Sequence, residues 1–198
     1  PKQPQKLPKA ILTVDEVERV LAQPNITTPL GLRDRAIFET LYSTGIRRIE
    51  VVRLNIDDLD VERRILAVRE GKNRKDRFVP IGMRALVWIA RYVESARDKF
   101  LLNINERALF ITAHGERLNP DSLTGYGRGY IEAAGIEKPG SCHLFRHSMA
   151  TAMLENGAGI RYLQAILGHT NLNTTQIYTR TSLKKLLEVH GKTHPAEK

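Results

Sequence analysis

Apolar positions recur three and four residues apart over most of this chain, the spacing that lines one face of an α-helix. In "LTVDEVERVLAQ" Val14, Val17, Val20 and Leu21 form such a stripe, and Thr13 with Glu16 has capping-box spacing, which sets the helix start. A second helix is expected over "LRDRAIFETLYSTG", stopped at Gly45. A short one follows over "IRRIEVVRL", where Ile49, Val52 and Leu54 are interleaved with charge. "RALVWIARYVESARDKFLL" carries a core-facing stripe of Leu86, Ile89, Ala90 and Val93, with Trp88 nearby. Late in the chain, helices are expected from Ser141 to about "ENGAG", over "IRYLQAILGH" up to Gly168, and over "SLKKLLEVHGK" through Leu183, Leu186 and Leu187. Between the last two, Asn173 caps "NTTQIYTR" with Gln176 three residues on, which places Tyr178 in the second turn of a short helix.

From Ile56 to Ile81 the period shortens to two. "ILAVRE" and "RFVPI" flank "GKNRKD" as two strands whose tight turn carries Lys72, and "IDDLD" is expected to precede them as a third. "ALFIT" is the one other short strand candidate. The fold class that follows is mainly α with a small antiparallel β-sheet. "SLTGYGRGYIEAAG" sets Gly125, Gly127 and Gly129 on alternate positions, but no strong strand precedes them and no Lys-Ser/Thr pair follows, so the phosphate-cradle fingerprints are unmet. Each glycine inside a helix costs roughly 1 kcal/mol relative to alanine, which predicts a loosened helix or a late helix start there.

Charge changes the picture. Lys and Arg total 31 against 22 acidic residues, a net +9 with a pI near 9.8. That balance points to a polyanionic partner, nucleic acid first and an anionic membrane surface second. No apolar run reaches the roughly 18 residues that span a bilayer, and "PKQPQKLPK" at the start is basic and proline-rich with no signal core, so the expectation is an intracellular chain without a membrane partner. The opening stretch reads as an extended interdomain linker, and a first residue other than Met suggests a processed form or a piece of something longer. Cys142 is the single cysteine, which excludes an intramolecular disulfide.

Candidate chemistry gathers at helix starts. In "SCHLFRHSMA", with Ser141 as cap, His143, Arg146 and His147 share one face near the helix N-terminus, and Arg47 and Arg48 begin another helix. Cations there oppose the helix dipole, at about half a kcal/mol per charge, so an anion is expected to join them. A zinc helix would need a glutamate beside the first histidine and a third ligand, and Arg146 would repel the dication. A Cys142/His143 nucleophile is disfavoured because helical neighbours point about 100° apart, which leaves a packed thiol. Histidines satisfied in the core with Arg146 in a salt bridge remain the structural alternative.

The order Arg47 in "TGIRRIE", Lys72 in "GKNRKDRFVP", His143 and Arg146 in "HLFRH", His169 in "LGHTN" and Tyr178 in "TTQIYTR" resembles the tyrosine recombinases, phage integrases and Xer-type enzymes, from Thr13 onward. The resemblance implies that Tyr178 attacks a DNA phosphodiester to leave a 3′-phosphotyrosine and a free 5′-hydroxyl. Arg47 and Arg146 would clamp the non-bridging oxygens, Lys72 would protonate the leaving oxygen, and His143 and His169 would assist proton transfer. Glu50 matches an acidic position that braces the site, with a surface salt bridge as its plainer alternative. Arg48, Arg74, Lys75 and Arg77 are expected phosphate contacts. The residue types suit phosphoryl transfer, since guanidinium forks match phosphate oxygens and a phenol of pKa about 10 needs a base or a positive field to ionise at neutral pH.

This chain departs from the usual pattern at Phe145, where leucine is frequent, and at Asn73, where a second glycine often follows the lysine. The resemblance further implies no metal or nucleotide cofactor, double-stranded DNA as partner, a homotetramer on two DNA sites exchanging strands through a Holliday junction, and a cytoplasmic place at the bacterial nucleoid. Residues 1–12 are then the linker from an N-terminal DNA-binding domain, 13–180 the catalytic domain, and 181–198 a tail that docks on a neighbouring protomer or packs on its own core. Two other functions use the same fold: a type IB topoisomerase that relaxes DNA, and a protein that binds sites without cutting.

Overall fold

The capping box places α1 (Val14–Leu21) as expected: Thr13 Oγ1 accepts the Glu16 amide at 3.2 Å and the Glu16 carboxylate accepts the Thr13 amide at 2.7 Å. The computed structural model describes residues 10–69, 76–168 and 180–197. α2 (Pro29–Thr44) starts earlier than its apolar stripe suggests, because Thr28 caps it and Pro29 occupies its first turn. It ends at Gly45, whose φ of 61° is the left-handed conformation that glycine takes without strain.

α3 (Arg48–Arg53) follows, and then "IDDLD" departs from its expected strand. Ile56–Asp58 is a 3-10 turn, and only Leu59–Asp60 remain as β1. The Asp58 carboxylate accepts the Asn55 amide at 2.8 Å, a local bond that competes with ladder pairing. β2 (Ile65–Val68) and β3 (Arg77–Pro80) complete an antiparallel sheet in the order β1-β2-β3, with Leu59 opposite Leu66 and Val68 opposite Arg77. "ALFIT" forms isolated bridges instead of a strand. The buried Arg97 guanidinium takes the Ala108 carbonyl, and the Tyr92 hydroxyl takes the Ile111 amide.

α4 (Met83–Ser95) stops at Ala96, short of the full apolar stretch, and a 3-10 turn at Arg97–Lys99 turns Arg97 inward. Its buried stripe is Ala85, Leu86, Ile89 and Tyr92; Ala90 is exposed and Trp88 is half-buried between the Arg35 and Arg91 guanidiniums. α5 (Pro120–Ala133) runs unbroken through all three glycines, neither loosened nor late, starting from an Asn119 cap. Gly127 has a packing reason: a Cβ there would sit 2.5 Å from Ser141 Oγ, so its absence lets α5 approach the next helix. Nothing in the packing explains Gly125 and Gly129.

α6 (Cys142–Glu155), α7 (Ile160–Leu167) and α8 (Arg180–Thr193) close the fold. α2 lies at the centre, buried on nearly every side and packed against α4 and α6. Its Phe38 meets Phe145 at 5.3 Å and Tyr130 at 5.6 Å between ring centroids, which gives Phe145 an aromatic partner where leucine would have none. The tail, from residue 183 to 197, lies against its own chain, with Leu186, His190 and His194 buried. Among the described residues no helix is long and apolar enough to cross a membrane.

Candidate active site

Arg47 is the N-cap of α3, and Glu50, three residues on, reaches back to it. The Arg47 amide donates to Glu50 Oε2 at 2.6 Å, and Arg47 Nη1 lies 3.0 Å from Oε1. The same carboxylate receives a two-pronged bond from Arg77, Nη1 to Oε1 at 2.9 Å and Nη2 to Oε2 at 3.0 Å. Glu50 is therefore a buried partner of both Arg47 and Arg77; a surface salt bridge does not describe it, since it is 7% exposed. Arg77, which its basic segment marks as a phosphate contact, is 3% exposed and faces this carboxylate and the Ile166 carbonyl. Strand parity carries the signal, because Arg77 shares the inward face of β3 with Val79 while Phe78 faces out.

Arg146, in the second turn of α6, bonds the ends of two other helices. Nη1 donates to the Gly45 carbonyl at 2.5 Å and Nη2 to the Leu167 carbonyl at 2.8 Å. Both acceptors lie at helix C-termini, where carbonyls lack intrahelical partners and the dipole is negative. Burial, with Arg47 and Arg77 close by, lowers the Arg146 pKa to about 10, and Glu50 partly opposes this. The guanidinium stays cationic at neutral pH. Three guanidiniums against one carboxylate leave an excess of two positive charges around this point; a phosphodiester, a monoanion, would offset one, and the charge that grows on its non-bridging oxygens during transfer would draw on the other.

Arg47, Arg48, His143 and Arg146 line one cleft of about 490 Å³ with Ile46, Asp121, Thr124, Ser141 and Cys142. His143 is exposed, with its ring 5.9 Å from that of His147 one turn along. Ser141 stands at the N-cap of α6, but its hydroxyl donates to the Thr124 carbonyl at 2.7 Å instead of capping the helix. Burial pushes the Cys142 thiol up, and its Sγ faces the Leu123 carbonyl, as a packed thiol and not a nucleophile. At the rim, Arg48 Nη1 is bonded to Asp121, Thr124 Oγ1 and the Pro120 carbonyl. Sequence reasoning missed this contribution of α5, whose only advance signal was the Asn-Pro start that fixes Asp121 and Thr124 in its first turns.

Lys72, Arg74, Lys75, His169 and Tyr178 lie outside the described residues. The described part thus brings together two guanidiniums held by ion-pair and carbonyl partners, a histidine in the same cleft, and, among the described lining residues, no carboxylate other than Asp121 at the rim.

Residues 10–185 match the phage integrase family. The chain is 54% identical over 196 residues to the tyrosine recombinase XerC 2 of Ralstonia nicotianae, covering 99% of this chain and 56% of that protein. It is 44% identical to the tyrosine recombinase XerD of Lacticaseibacillus casei, covering 98% and 66%. It thus spans between about half and two thirds of these relatives' length. Among solved structures it is similar to the XerA recombinase, with TM-score 0.74 and 30% identity over 96% of this chain and 66% of that one. It is also similar to the XerH site-specific recombinase bound to its difH substrate before cleavage, with TM-score 0.71 and 25% identity over 91% and 52%.

Proposed function

Because this chain belongs to the phage integrase family, we propose that it is the catalytic part of a site-specific DNA recombinase acting on double-stranded DNA. The observation that carries the reading is the convergence of Arg47 and Arg146 on one cleft, the first fixed through Glu50 and Arg77, the second through two helix-end carbonyls. A phosphodiester seated there meets two forked donors where charge grows on its non-bridging oxygens during transfer.

In this proposal the Tyr178 oxygen forms a bond to the scissile phosphorus as the bond to the 5′-oxygen breaks. The phenolic proton leaves toward a nearby histidine, and Lys72 supplies a proton to the departing 5′-oxygen. His143, which lines the same cleft, would assist. A free 5′-hydroxyl from a partner strand then attacks the 3′-phosphotyrosine, which restores the phosphodiester and the phenol without a nucleotide or metal cofactor. Four copies on two DNA sites would exchange strands in pairs through a Holliday junction. Residues 1–12 would serve as the linker from an N-terminal DNA-binding domain, 13–180 as the catalytic domain and 181–198 as a tail. Arg48, Arg74 and Lys75 are assigned to flanking phosphates, where they contribute affinity more than rate.

Plasmid topology tests the exchange step. The full-length protein is incubated with a supercoiled plasmid carrying two copies of a site selected from random DNA. Resolved circles or inverted segments are expected. Relaxed plasmid with no exchange product would assign the topoisomerase activity instead, and salt-sensitive binding with unchanged plasmid would leave only site occupancy.

A further inference from the structure

The helix end that holds Arg146 is also held from the opposite side. An α-helix leaves its last four carbonyls without intrahelical partners, and those of α2 belong to Leu41, Tyr42, Ser43 and Thr44. The Gly45 amide takes the first. The Tyr42 carbonyl lies 3.0 Å from His194 Nε2 and the Ser43 carbonyl 2.7 Å from His190 Nε2. A carbonyl only accepts, so both rings carry their proton on Nε2. His194 Nδ1 accepts the Ala196 amide at 3.1 Å, which fixes that ring as the neutral tautomer.

We propose that His190 and His194 are positioning residues for Arg146, acting by capping the C-terminal turn of α2 from the last turn of α8 and the residue that follows it. Two residues beyond Ser43, the Gly45 carbonyl is the one Arg146 Nη1 bonds. Gly45 is closely packed: a Cβ built on it would meet Met149 Cε at 2.0 Å and Leu167 Cδ2 at 3.0 Å, so side chains of α6 and α7 lie against it. The two rings stack at 4.7 Å between centroids and are almost fully buried, and Leu186 packs in the core one turn before them. Burial keeps both imidazoles neutral, with the His194 pKa lowered to about 3. The same segment is tied elsewhere, by Asn156 Nδ2 on the Thr193 carbonyl and by Glu197 Oε1 on the Met83 amide, so the pair sits on a docked element. A displacement of about an ångström at a clamping group costs on the order of a hundredfold in rate, so the loss of two caps at this helix end is expected to reach the site.

The inference rests on the reading of Arg146 as a phosphate clamp, and its test has a readout that needs no DNA. In the ¹⁵N-labelled chain, the Gly45 amide and the Arg146 Nε–H signals are recorded for wild type, His190→Leu/His194→Leu and His190→Gln/His194→Gln. The leucine pair is expected to displace both signals and slow covalent-adduct formation at least about tenfold, with DNA affinity within about twofold; the glutamine pair keeps the donors and restores most of both. Where the leucine pair does not fold, His190→Leu and His194→Leu singly are each expected to displace the signals part-way. Gly45 and Arg146 signals unmoved by the leucine changes, or moved equally by leucine and glutamine, would overturn the proposal. A wild type whose signals behave as expected but which forms no adduct would overturn the recombinase reading and leave the coupling standing.

Discussion

Arg146→Met is expected to lower the rate of covalent-adduct formation by about a thousandfold while the melting temperature stays within a few degrees of wild type. The two effects separate because the folded protein holds this cation against its own interest. Its pKa is lowered to about 10 by burial and by Arg47 and Arg77, so the folded environment disfavours the charge by an amount on the order of a few kcal/mol. Removing the cation relieves that cost. The carbonyls of Gly45 and Leu167 lose their donors, and water from the adjoining cleft replaces them. Binding to DNA is expected to weaken little, as one phosphate contact among several, with the salt slope reduced by about one. Arg146→Lys keeps the charge but not the fork, and is expected to fall between the two. A collapse of stability in Arg146→Met would mean that the arginine is a structural staple first.

Arg77→Met is expected to act in the opposite manner, through the fold. It leaves the Glu50 carboxylate buried with only Arg47, and breaking a buried, hydrogen-bonded pair costs about 3–5 kcal/mol. Burial pushes the Glu50 pKa up, but the Arg77 hydrogen bonds and charge, with the Arg47 amide and guanidinium, more than offset it and hold the group ionised below its ordinary range. Its folded pKa being depressed, Glu50 contributes stability that is complete above the unfolded value near 4.5 and lost as pH falls through the folded one. The double substitution Glu50→Met/Arg77→Met removes both charges together and is expected to regain most of the stability. Activity is not expected to return, because Arg47 then has no carboxylate to fix it. Chemical denaturation beside adduct kinetics on the single and double variants measures both; joint recovery would show that the pair serves the fold alone.

Much of this arrangement is legible in the sequence wherever it is local. Thr13 with Glu16 marks a helix start and Gly45 and Gly168 mark helix stops, since each acts within a turn of itself. The three arginines and the histidine that line the cleft are identifiable from their places at helix starts. What escapes a sequence reading is of longer range. Arg77 reads as a surface residue because a charged side chain in a basic segment looks solvated, and its partner is 27 positions away. His190 and His194 give no signal at all, since the carbonyls they cap lie 147 and 152 positions earlier. α5 passes through three glycines against its propensity because packing, at Gly127 at least, requires a surface without a side chain.

The claim that this cleft seats a scissile phosphodiester beside a tyrosine nucleophile meets its most direct test on a denaturing gel. A nicked duplex carrying the selected site is incubated with the full-length protein, so that cleavage beside the nick releases a short fragment and traps the covalent product. A protein–DNA adduct that survives denaturation and vanishes in Tyr178→Phe is the predicted result. No adduct from the wild type, with the DNA still bound under native conditions, would contradict it.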